Sequence, residues 1–268
     1  MKKILFLLVF TLIAFGATVN SMAYSYTTFT SKIGIGKFFY NEGLDNDSGV
    51  KYFLTEKLKY HNNLFLGVLK ASVGITPANY NGEFSNGNPV SDNVFYKNYS
   101  VLGGLGIDPR FGYDQNQLYF SISKSDMTWM SGNNPGGYDE EYDVNYLGLT
   151  YNNIFMLNNK VSLTFGLSYF KGISGNVFIN NYPIYYGLPS ESIGLTLGGE
   201  SKYKAKIGLR YRLYKNLSLT VNLFYQHFFF KHSNIDTFYA GNGFFDTVQE
   251  PSSNTYIDGI EFGLHYDF

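Results

Sequence analysis

The residues best suited to chemistry are charged side chains that lie two positions apart late in the chain. One set is Lys204, Lys206, Arg210 and Arg212, and the other is Glu261, His265 and Asp267. Residues two apart on a β-strand point to the same side, so each set would line one face of a strand. Opposed charges across a water-filled lumen would set a transverse field and select permeants. Alternatively, the charges pair with one another and fill a narrow interior.

Histidines near the end of one segment raise a second possibility, hydrolysis. His227 and His232 fall in the segment 217–232, and Asp236 follows His232 by four residues. A general base needs a histidine held by an acid within hydrogen-bond reach, but a histidine and an acid often share a loop by chance. The chain has 4 His and no Cys, which excludes a thiolate metal site. We therefore predict no catalytic residue, no metal and no cofactor.

The composition favours strands in contact with lipid. Tyr and Phe each number 25 among 268 residues, and Gly numbers 29. Tyr is favoured where one end of its ring is apolar and the other is wet, as at a membrane interface. The formal net charge of −1 gives no electrostatic footprint for nucleic acid.

The N-terminus predicts an export signal. Lys2 and Lys3 precede an apolar run over 4–15, and Ser21 and Ala23 place small residues where a signal peptidase reads them. The run is shorter than the roughly 20 apolar residues of a membrane-spanning helix. We predict a signal peptide over 1–23 and one domain over 24–268. Without Lys2 and Lys3, that domain has 18 basic and 21 acidic residues, a net charge of −3.

The charged sets must be positioned by strands, and the alternation of apolar and polar residues predicts ten of them. The candidates are 32–40, 49–60, 64–74, 94–107, 117–130, 141–155, 160–172, 202–214, 217–232 and 256–268. Most are long enough for the 9–11 residues, roughly, that a tilted strand needs to cross hydrocarbon. Apolar residues would face lipid and polar residues the lumen, where Lys51, Lys57 and Lys59 would join the other charges.

The links between these strands alternate in length. Long links include 75–93, 173–201 and 233–255, whereas short links such as His61-Asn62-Asn63 carry tight-turn residues. Barrels that span a membrane have short turns at one end and longer loops at the other. The strands must also close on themselves, because lipid offers no hydrogen-bond partner to a free edge.

The last nine residues carry the most specific signal. Ile260, Phe262, Leu264, Tyr266 and Phe268 alternate with Glu261, Gly263, His265 and Asp267. This segment resembles the C-terminal signal of bacterial outer-membrane β-barrel proteins, in which the closing strand ends in an aromatic residue. The resemblance implies a location in the cell outer membrane, contact with its lipid, and recognition of the last strand by the barrel-insertion machinery. Ten strands also resemble the count of the omptin proteases, but the adjacent Asp-His pair of that family is absent.

Three places fit the strand pattern poorly. Glu56 falls on the apolar face of 49–60. The alternation breaks near Lys124 and Asp126, either where the strand leaves the membrane or at a bulge. The segment 141–155 changes face around Asn145. Eight or twelve strands therefore remain alternatives to ten.

Taken together, the sequence predicts an all-β protein, a transmembrane antiparallel up-and-down β-barrel of about ten strands. The first functional hypothesis is a porin-like transport protein, a narrow pore or facilitator for small solutes with a charged polar lumen. The second is a surface adhesion or binding barrel that meets an extracellular ligand through its long loops. The third is a hydrolase at the outer rim.

Overall fold

The computed structural model describes residues 25–43, 45–62, 64–83, 89–111, 114–131, 139–180, 192–241 and 244–268. The predicted signal peptide over 1–23 lies outside the described residues. The strands are β1 (Ser25–Glu42), β2 (Asp45–Asn62), β3 (Phe65–Glu83), β4 (Pro89–Ile107), β5 (Arg110–Phe111), β6 (Asp114–Met130), β7 (Asp139–Met156), β8 (Val161–Asn180), β9 (Ile193–Thr196), β10 (Glu200–Arg212), β11 (Leu217–Phe230), β12 (Asp236–Gly241), β13 (Phe244–Val248) and β14 (Ser253–Asp267). Within these ranges, no helix is long and apolar enough to cross a bilayer.

Ten long strands form a closed antiparallel barrel. The neighbours follow the order β1, β2, β3, β4, β6, β7, β8, β10, β11 and β14, and β14 pairs back with β1. Closure gives each of these strands two partners, so no open sheet edge faces lipid. The prediction of an all-β barrel with ten strands is confirmed. Two short strands, β5 and β9, add to β6 and β8, while β12 and β13 form a separate hairpin.

The alternation of residue types decides which face of each strand meets lipid. On β11, Leu219, Val221 and Leu223 are exposed, whereas Thr220 and Asn222 are buried. Equivalent exposed apolar side chains continue around the barrel, among them Ile33, Leu105, Phe120, Ile122, Leu167, Ile207 and Leu264. An apolar belt of this kind is the surface that a β-barrel presents to hydrocarbon.

Aromatic rings mark where the lipid belt ends on the side of the longer loops. Tyr169, Tyr203, His227 and Tyr256 lie in register across β8, β10, β11 and β14. Ring centroids are 4.9 Å apart for Tyr169 and Tyr203, and 4.6 Å apart for His227 and Tyr256. Rings with one apolar and one polar end favour the membrane interface. Strand residues beyond this aromatic ladder therefore project out of the bilayer.

The strands on this side are longer than predicted, which corrects the loop expected over 75–93. Pairing between β3 and β4 runs without a break from Phe65↔Ile107 to Glu83↔Pro89. The sequence concealed this extension because the outward residues beyond the bilayer are polar, as Asn79, Asn81 and Ser91 are. The other two long links also contain strands, namely the end of β8 with β9, and the β12–β13 hairpin. Parts of these links, 181–191 and 242–243, lie outside the described residues.

Glu56 and Lys124 both point outward from the barrel, one among lipid-facing residues and the other where its strand leaves the membrane. Glu56 does lie among lipid-facing residues of β2, where its Oε1 accepts a hydrogen bond from Ser31 Oγ at 2.8 Å. Lys124 and Asp126 lie on β6, which pairs regularly with both neighbours. Lys124 Nζ lies 2.6 Å from Asp143 Oδ2 on β7. Of the two alternatives for β6, the structure therefore supports the strand leaving the membrane.

The change of face expected around Asn145 occurs on the neighbouring strand instead. Asn145 pairs with Ser174 and Tyr146 with Gly172, so Ile173 of β8 is an extra residue. A bulge of this kind switches which residues of the bulged strand point inward. From Gly175 onward, β8 turns its odd-numbered residues toward the interior, and Val177 and Ile179 are buried there.

The barrel interior is packed most densely with apolar side chains toward the outer end. One buried cluster comprises Phe38, Tyr40, Ala78, Val94, Tyr96, Phe224 and Ile257. A second cluster includes Tyr142, Val144, Tyr146, Phe170, Val177, Ile179 and Phe230, and descends one wall to Leu66 and Val68. The interior is therefore not a uniform water-filled tube. Its polar part lies at the level of the lipid belt and below.

Candidate functional site

The polar part of the interior carries far more cations than anions. Three cavities follow one another from the short-turn end to the loop end, and we call them the inner, middle and outer cavities. Eleven cationic side chains line them, namely Lys32, Lys51, Lys57, Lys59, Lys70, Lys160, Lys202, Lys204, Lys206, Arg210 and Arg212. Among the described residues of these three walls, the carboxylates are Glu261 and Asp267. The seven residues singled out from the sequence all lie on these walls.

Glu261 is the central anion of this cationic interior. It lies on β14, where Gly34 of β1 and Asn222 of β11 are its neighbours in register. Its Oε1 accepts hydrogen bonds from Lys32 Nζ and, at 3.2 Å, from Asn222 Nδ2. Lys204 Nζ lies 3.6 Å from Oε2. The glutamate side chain is only 4% exposed, so its charge is balanced by protein groups rather than by bulk water.

The inner cavity, of about 260 Å³, holds the remaining residues of the predicted set. Arg210 Nη2 donates to Asp267 Oδ2 at 3.3 Å, and His265 Nε2 lies 2.9 Å from Asp267 Oδ1. Thr30 Oγ1 lies 2.8 Å from His265 Nδ1. Arg212 lines the same cavity. Opposite charges therefore do pair at this end, as the filling alternative expects.

Behind the wall of the inner cavity, His61 of that wall forms a second histidine–carboxylate pair, with Asp108. His61 Nδ1 lies 2.7 Å from Asp108 Oδ2, and both side chains are buried. The His61 ring stacks on Tyr26 with a centroid distance of 4.2 Å. Lys59 donates to Gln117, which in turn contacts Asp108 at 3.4 Å. These bonds fix the inner wall by joining β1, β2, β6 and the end of β4.

The middle cavity, of about 60 Å³, has the largest number of lysines of the three. Its charged residues are Lys32, Lys57, Lys70, Lys204, Lys206 and Glu261, and its neutral polar residues are Thr30, Thr55, Tyr119, Thr150, Asn152 and Ser168. Gly166 completes the wall, because a Cβ at this position would lie 2.3 Å from Lys206 Cε. Five ammonium groups thus surround one carboxylate.

The outer cavity, of about 80 Å³, is lined by aromatic rings as well as by lysines. Phe53 and Phe224 meet edge to face with centroids 5.3 Å apart. Lys204 Nζ lies 4.9 Å from the centre of the Phe224 ring, and Lys202 Nζ lies 4.7 Å from that of Phe228. Such contacts stabilise a cation on the ring face. This aromatic layer, which we define as Phe53, Phe224 and Phe228, separates the basic lumen from the outer end.

The outer rim, beyond the aromatic ladder, is acidic. Tyr40 Oη donates to Glu42, and Tyr142 Oη contacts both Glu250 and, at 2.8 Å, Glu140 Oε2. Burial, followed by repulsion from Glu250, raises the pKa of Glu42 to about 8. Burial, followed by repulsion from Glu140, likewise raises the pKa of Glu250 well above its ordinary range. Both carboxyl groups therefore hold a proton more tightly than ordinary glutamates do.

The histidines considered for hydrolysis are not assembled with an acid in the described part of the chain. His227 faces outward in the aromatic ladder, and its Nε2 lies 2.9 Å from Asn254 Oδ1. His232 Nδ1 lies 3.2 Å from Ser233 O. Asp236 Oδ1 accepts a hydrogen bond from Thr237 N. No group of three or more metal-ligating side chains occurs among the described residues.

Sequence reasoning missed four of the eleven lumen cations, Lys32, Lys70, Lys160 and Lys202. Lys32, Lys160 and Lys202 each begin a predicted strand segment, where alternation is least informative. Lys70 lies on the same face of β3 as Ser72. The residue between them, Ala71, points outward, but alanine is only a weak apolar signal. The register between strands brings the lysines together in the middle cavity, because Lys57 of β2 lies directly opposite Lys70 of β3.

Comparison with known proteins identifies the fold. No protein-family model and no curated protein matches the sequence. Among solved structures, the chain is similar to the outer membrane protease OmpT from Escherichia coli, at 9% identity and a TM-score of 0.62 over 94% of this chain and 99% of that chain. It is also similar to the translocator domain of the autotransporter NalP from Neisseria meningitidis, at 11% identity and a TM-score of 0.45 over 96% of this chain and 93% of that chain. At these identities the likeness shows the fold alone.

The fold and the lipid belt define the class of the molecule. A closed ten-stranded antiparallel barrel with an apolar exterior, aromatic interface residues and a polar interior is a bacterial outer-membrane β-barrel. Within that class, the particular feature of this chain is its basic lumen, which is bounded outward by the aromatic layer and an acidic rim.

Proposed function

We propose that this protein is a narrow pathway for small solutes across the outer membrane, with a preference for anions. The observation that carries the proposal is the charge imbalance of the three cavities, where eleven cationic side chains stand against Glu261 and Asp267. Rings of one sign of charge inside a pore favour permeants of the opposite sign. A barrel whose interior charges served only as filling would instead pair them, because an unpaired buried charge is costly.

The dimensions of the cavities support a small permeant. They hold about 260, 60 and 80 Å³ from the inner to the outer end, so each has room for a few water molecules or one small solute. The aromatic layer narrows the proposed pathway from one side, because Phe53 of β2 and Phe224 of β11 meet edge to face over the wall formed by β1 and β14. Movement of these rings would widen the pathway, which makes it selective.

The test is single-channel conductance of the refolded protein in a planar bilayer under a potassium chloride gradient. We expect small openings whose reversal potential shows a preference for chloride. Lys206→Gln removes a lumen charge that has no carboxylate partner and should lower this preference. Lys215→Gln is the matched control, because Lys215 lies in an exposed turn. A silent bilayer, from protein shown to be folded, would refute the pathway.

A binding or adhesion barrel is the second candidate, and the β12–β13 hairpin favours it. Its two strands pair from Asp236↔Val248 to Gly241↔Phe244. Its base is tied to β9, where Asn234 N donates to Thr196 O at 2.9 Å and Thr196 N donates to Asn234 Oδ1 at 2.7 Å. An anchored hairpin at the loop end is a suitable surface for an extracellular ligand. Cells that express a variant without 236–248 should then adhere less to host cells, with unchanged barrel assembly.

A further inference from the structure

The middle cavity contains lysines that form no direct ion pair with a carboxylate of the described residues. Lys57 and Lys70 lie directly opposite each other on β2 and β3, and like charges in this position destabilise a sheet. Among the described residues, the side-chain nitrogens of Lys57, Lys70 and Lys206 form no hydrogen bond and no ion pair. Glu261 attracts Lys70 and Lys206 only at longer range, because its oxygens are directly engaged by Lys32, Lys204 and Asn222.

The surroundings of these lysines suit a compact anion. Hydroxyl groups of Thr55, Thr150 and Ser168 line the same cavity, and hydroxyls can donate to an anion's oxygen atoms. The volume of about 60 Å³ corresponds to about four water positions. A monovalent ion such as chloride would balance one of three excess charges, whereas a doubly charged oxyanion balances two and accepts several hydrogen bonds at once.

We propose that Lys57, Lys70 and Lys206 form a binding site in the middle cavity for a small polyvalent oxyanion of the phosphate or sulfate type. The ammonium groups supply charge, and the threonine and serine hydroxyls supply further donors. Lysine is well suited to this role as a compact point charge for phosphate. The proposal deepens the proposed function, because it rests on a lumen that small anions can enter, and it names the class of anion held there.

The experiment is equilibrium dialysis of the full chain with radiolabelled inorganic phosphate, present from the start of refolding so that slow entry does not limit binding. Sodium chloride keeps the ionic strength constant. We expect saturable binding close to one phosphate per barrel, weakened by unlabelled sulfate and not by chloride. Lys57→Gln and Lys206→Gln should each weaken binding by about tenfold or more, since each removes one charged hydrogen-bond donor. Lys215→Gln should bind as the unaltered protein does.

Two results would overturn the site. One is the absence of saturable binding by folded protein, which would mean that the lysines are neutral or hydrated. The other is binding that neither Lys57→Gln nor Lys206→Gln changes, which would place the anion elsewhere. Should one variant fail to fold, the other decides the question. The dialysis is independent of conductance, so phosphate binding with a silent bilayer would refute the pathway and retain the site, whereas conduction without phosphate binding would do the reverse.

Discussion

Glu261 allows the electrostatic account of the lumen to be tested quantitatively. Its carboxylate is the only one among the described residues of the middle cavity, and Lys32 and Lys204 are its ion-pair partners. The substitution Glu261→Gln keeps the shape and one hydrogen-bond acceptor but removes the charge. Five ammonium groups would then share a cavity without any anion from the protein.

The expected cost follows from distance and burial. At an effective dielectric constant of about 20, two unit charges 3.6 Å apart attract by about 5 kcal/mol. Water in the cavity reduces this figure, and the second lysine increases it. Side-chain exposures of 11% for Lys32, 20% for Lys204 and 4% for Glu261 place the group among buried pairs. Removing one member of such a pair costs about 3–5 kcal/mol, and we expect a value in this range.

The assay is urea unfolding of the barrel in lipid vesicles, followed by the fluorescence of Trp129, the one tryptophan of the chain. Glu56→Gln is the matched control, since it makes the same chemical change on the lipid face. Because a charge facing lipid is itself unfavourable, this control should leave the free energy of unfolding unchanged or raise it. The reasoning is refuted if Glu261→Gln changes the free energy of unfolding by less than about 0.5 kcal/mol, or if Glu56→Gln is equally harmful.

Three further predictions concern facing, the aromatic layer and the rim. Val221→Arg should destabilise the barrel by about 2–4 kcal/mol, whereas Thr220→Arg, toward the polar lumen, should cost less; equal losses in vesicle unfolding would mean that the facing is wrong. Phe224→Ala should raise single-channel conductance, and an unchanged conductance would show that the aromatic layer does not limit flow. Because the pKa of Glu42 is raised to about 8, the folded state holds a proton that the unfolded state releases near its ordinary pKa, so stability should fall as pH rises from about 4.5 to about 8. Glu42→Gln should flatten this part of the curve of urea midpoint against pH, and an unaltered curve would contradict the assignment.

The strand pattern could be predicted from the sequence wherever lipid imposes a rule on the outward face. Leu219, Val221 and Leu223 alternate with polar residues because hydrocarbon touches one side of β11 and the lumen touches the other. The tight turns are equally local, as Asn158 shows by accepting hydrogen bonds from the backbone of Lys160 and Val161 at 2.9 Å. These two signals predicted about ten strands, with eight and twelve as alternatives.

Beyond the bilayer the same rule no longer applies, and prediction failed there. Water tolerates polar outward residues such as Asn79, so β3 and β4 continue without an alternation that would reveal them. Phe228 and Phe230 illustrate a related limit. Both turn inward, where Phe230 is buried and Phe228 holds Lys202, while Phe229 points outward between them. A run of three aromatic residues is consistent with an aromatic girdle at the membrane interface and also with aromatic packing inside the barrel. The alternation of inward and outward residues does not distinguish these two interpretations.

The lysines of the middle cavity come together through the register between strands, which cannot be deduced from the sequence of any one strand. Lys57, Lys70 and Lys206 come from β2, β3 and β10, which meet only when the barrel is closed and its stagger is fixed. Each lysine alone reads as an ordinary inward polar residue of a barrel strand. Their convergence, and the single carboxylate among them, are properties of the folded chain.

The distribution of charge along the barrel axis must be consistent with the proposed anion pathway, although the outer rim is acidic. Carboxylates at the loop end would repel an incoming anion if all were ionised, and this would work against the basic lumen below. Burial and repulsion from Glu250 raise the pKa of Glu42 to about 8, so this carboxyl group is mostly protonated and uncharged near neutral pH. Burial and repulsion from Glu140 raise the pKa of Glu250 in the same direction. The rim therefore repels anions less than its number of acids suggests, and the repulsion grows as pH rises. In the middle cavity below, five lysines stand against the one described carboxylate, Glu261. The entrance should therefore become less favourable to anions in mildly alkaline solution.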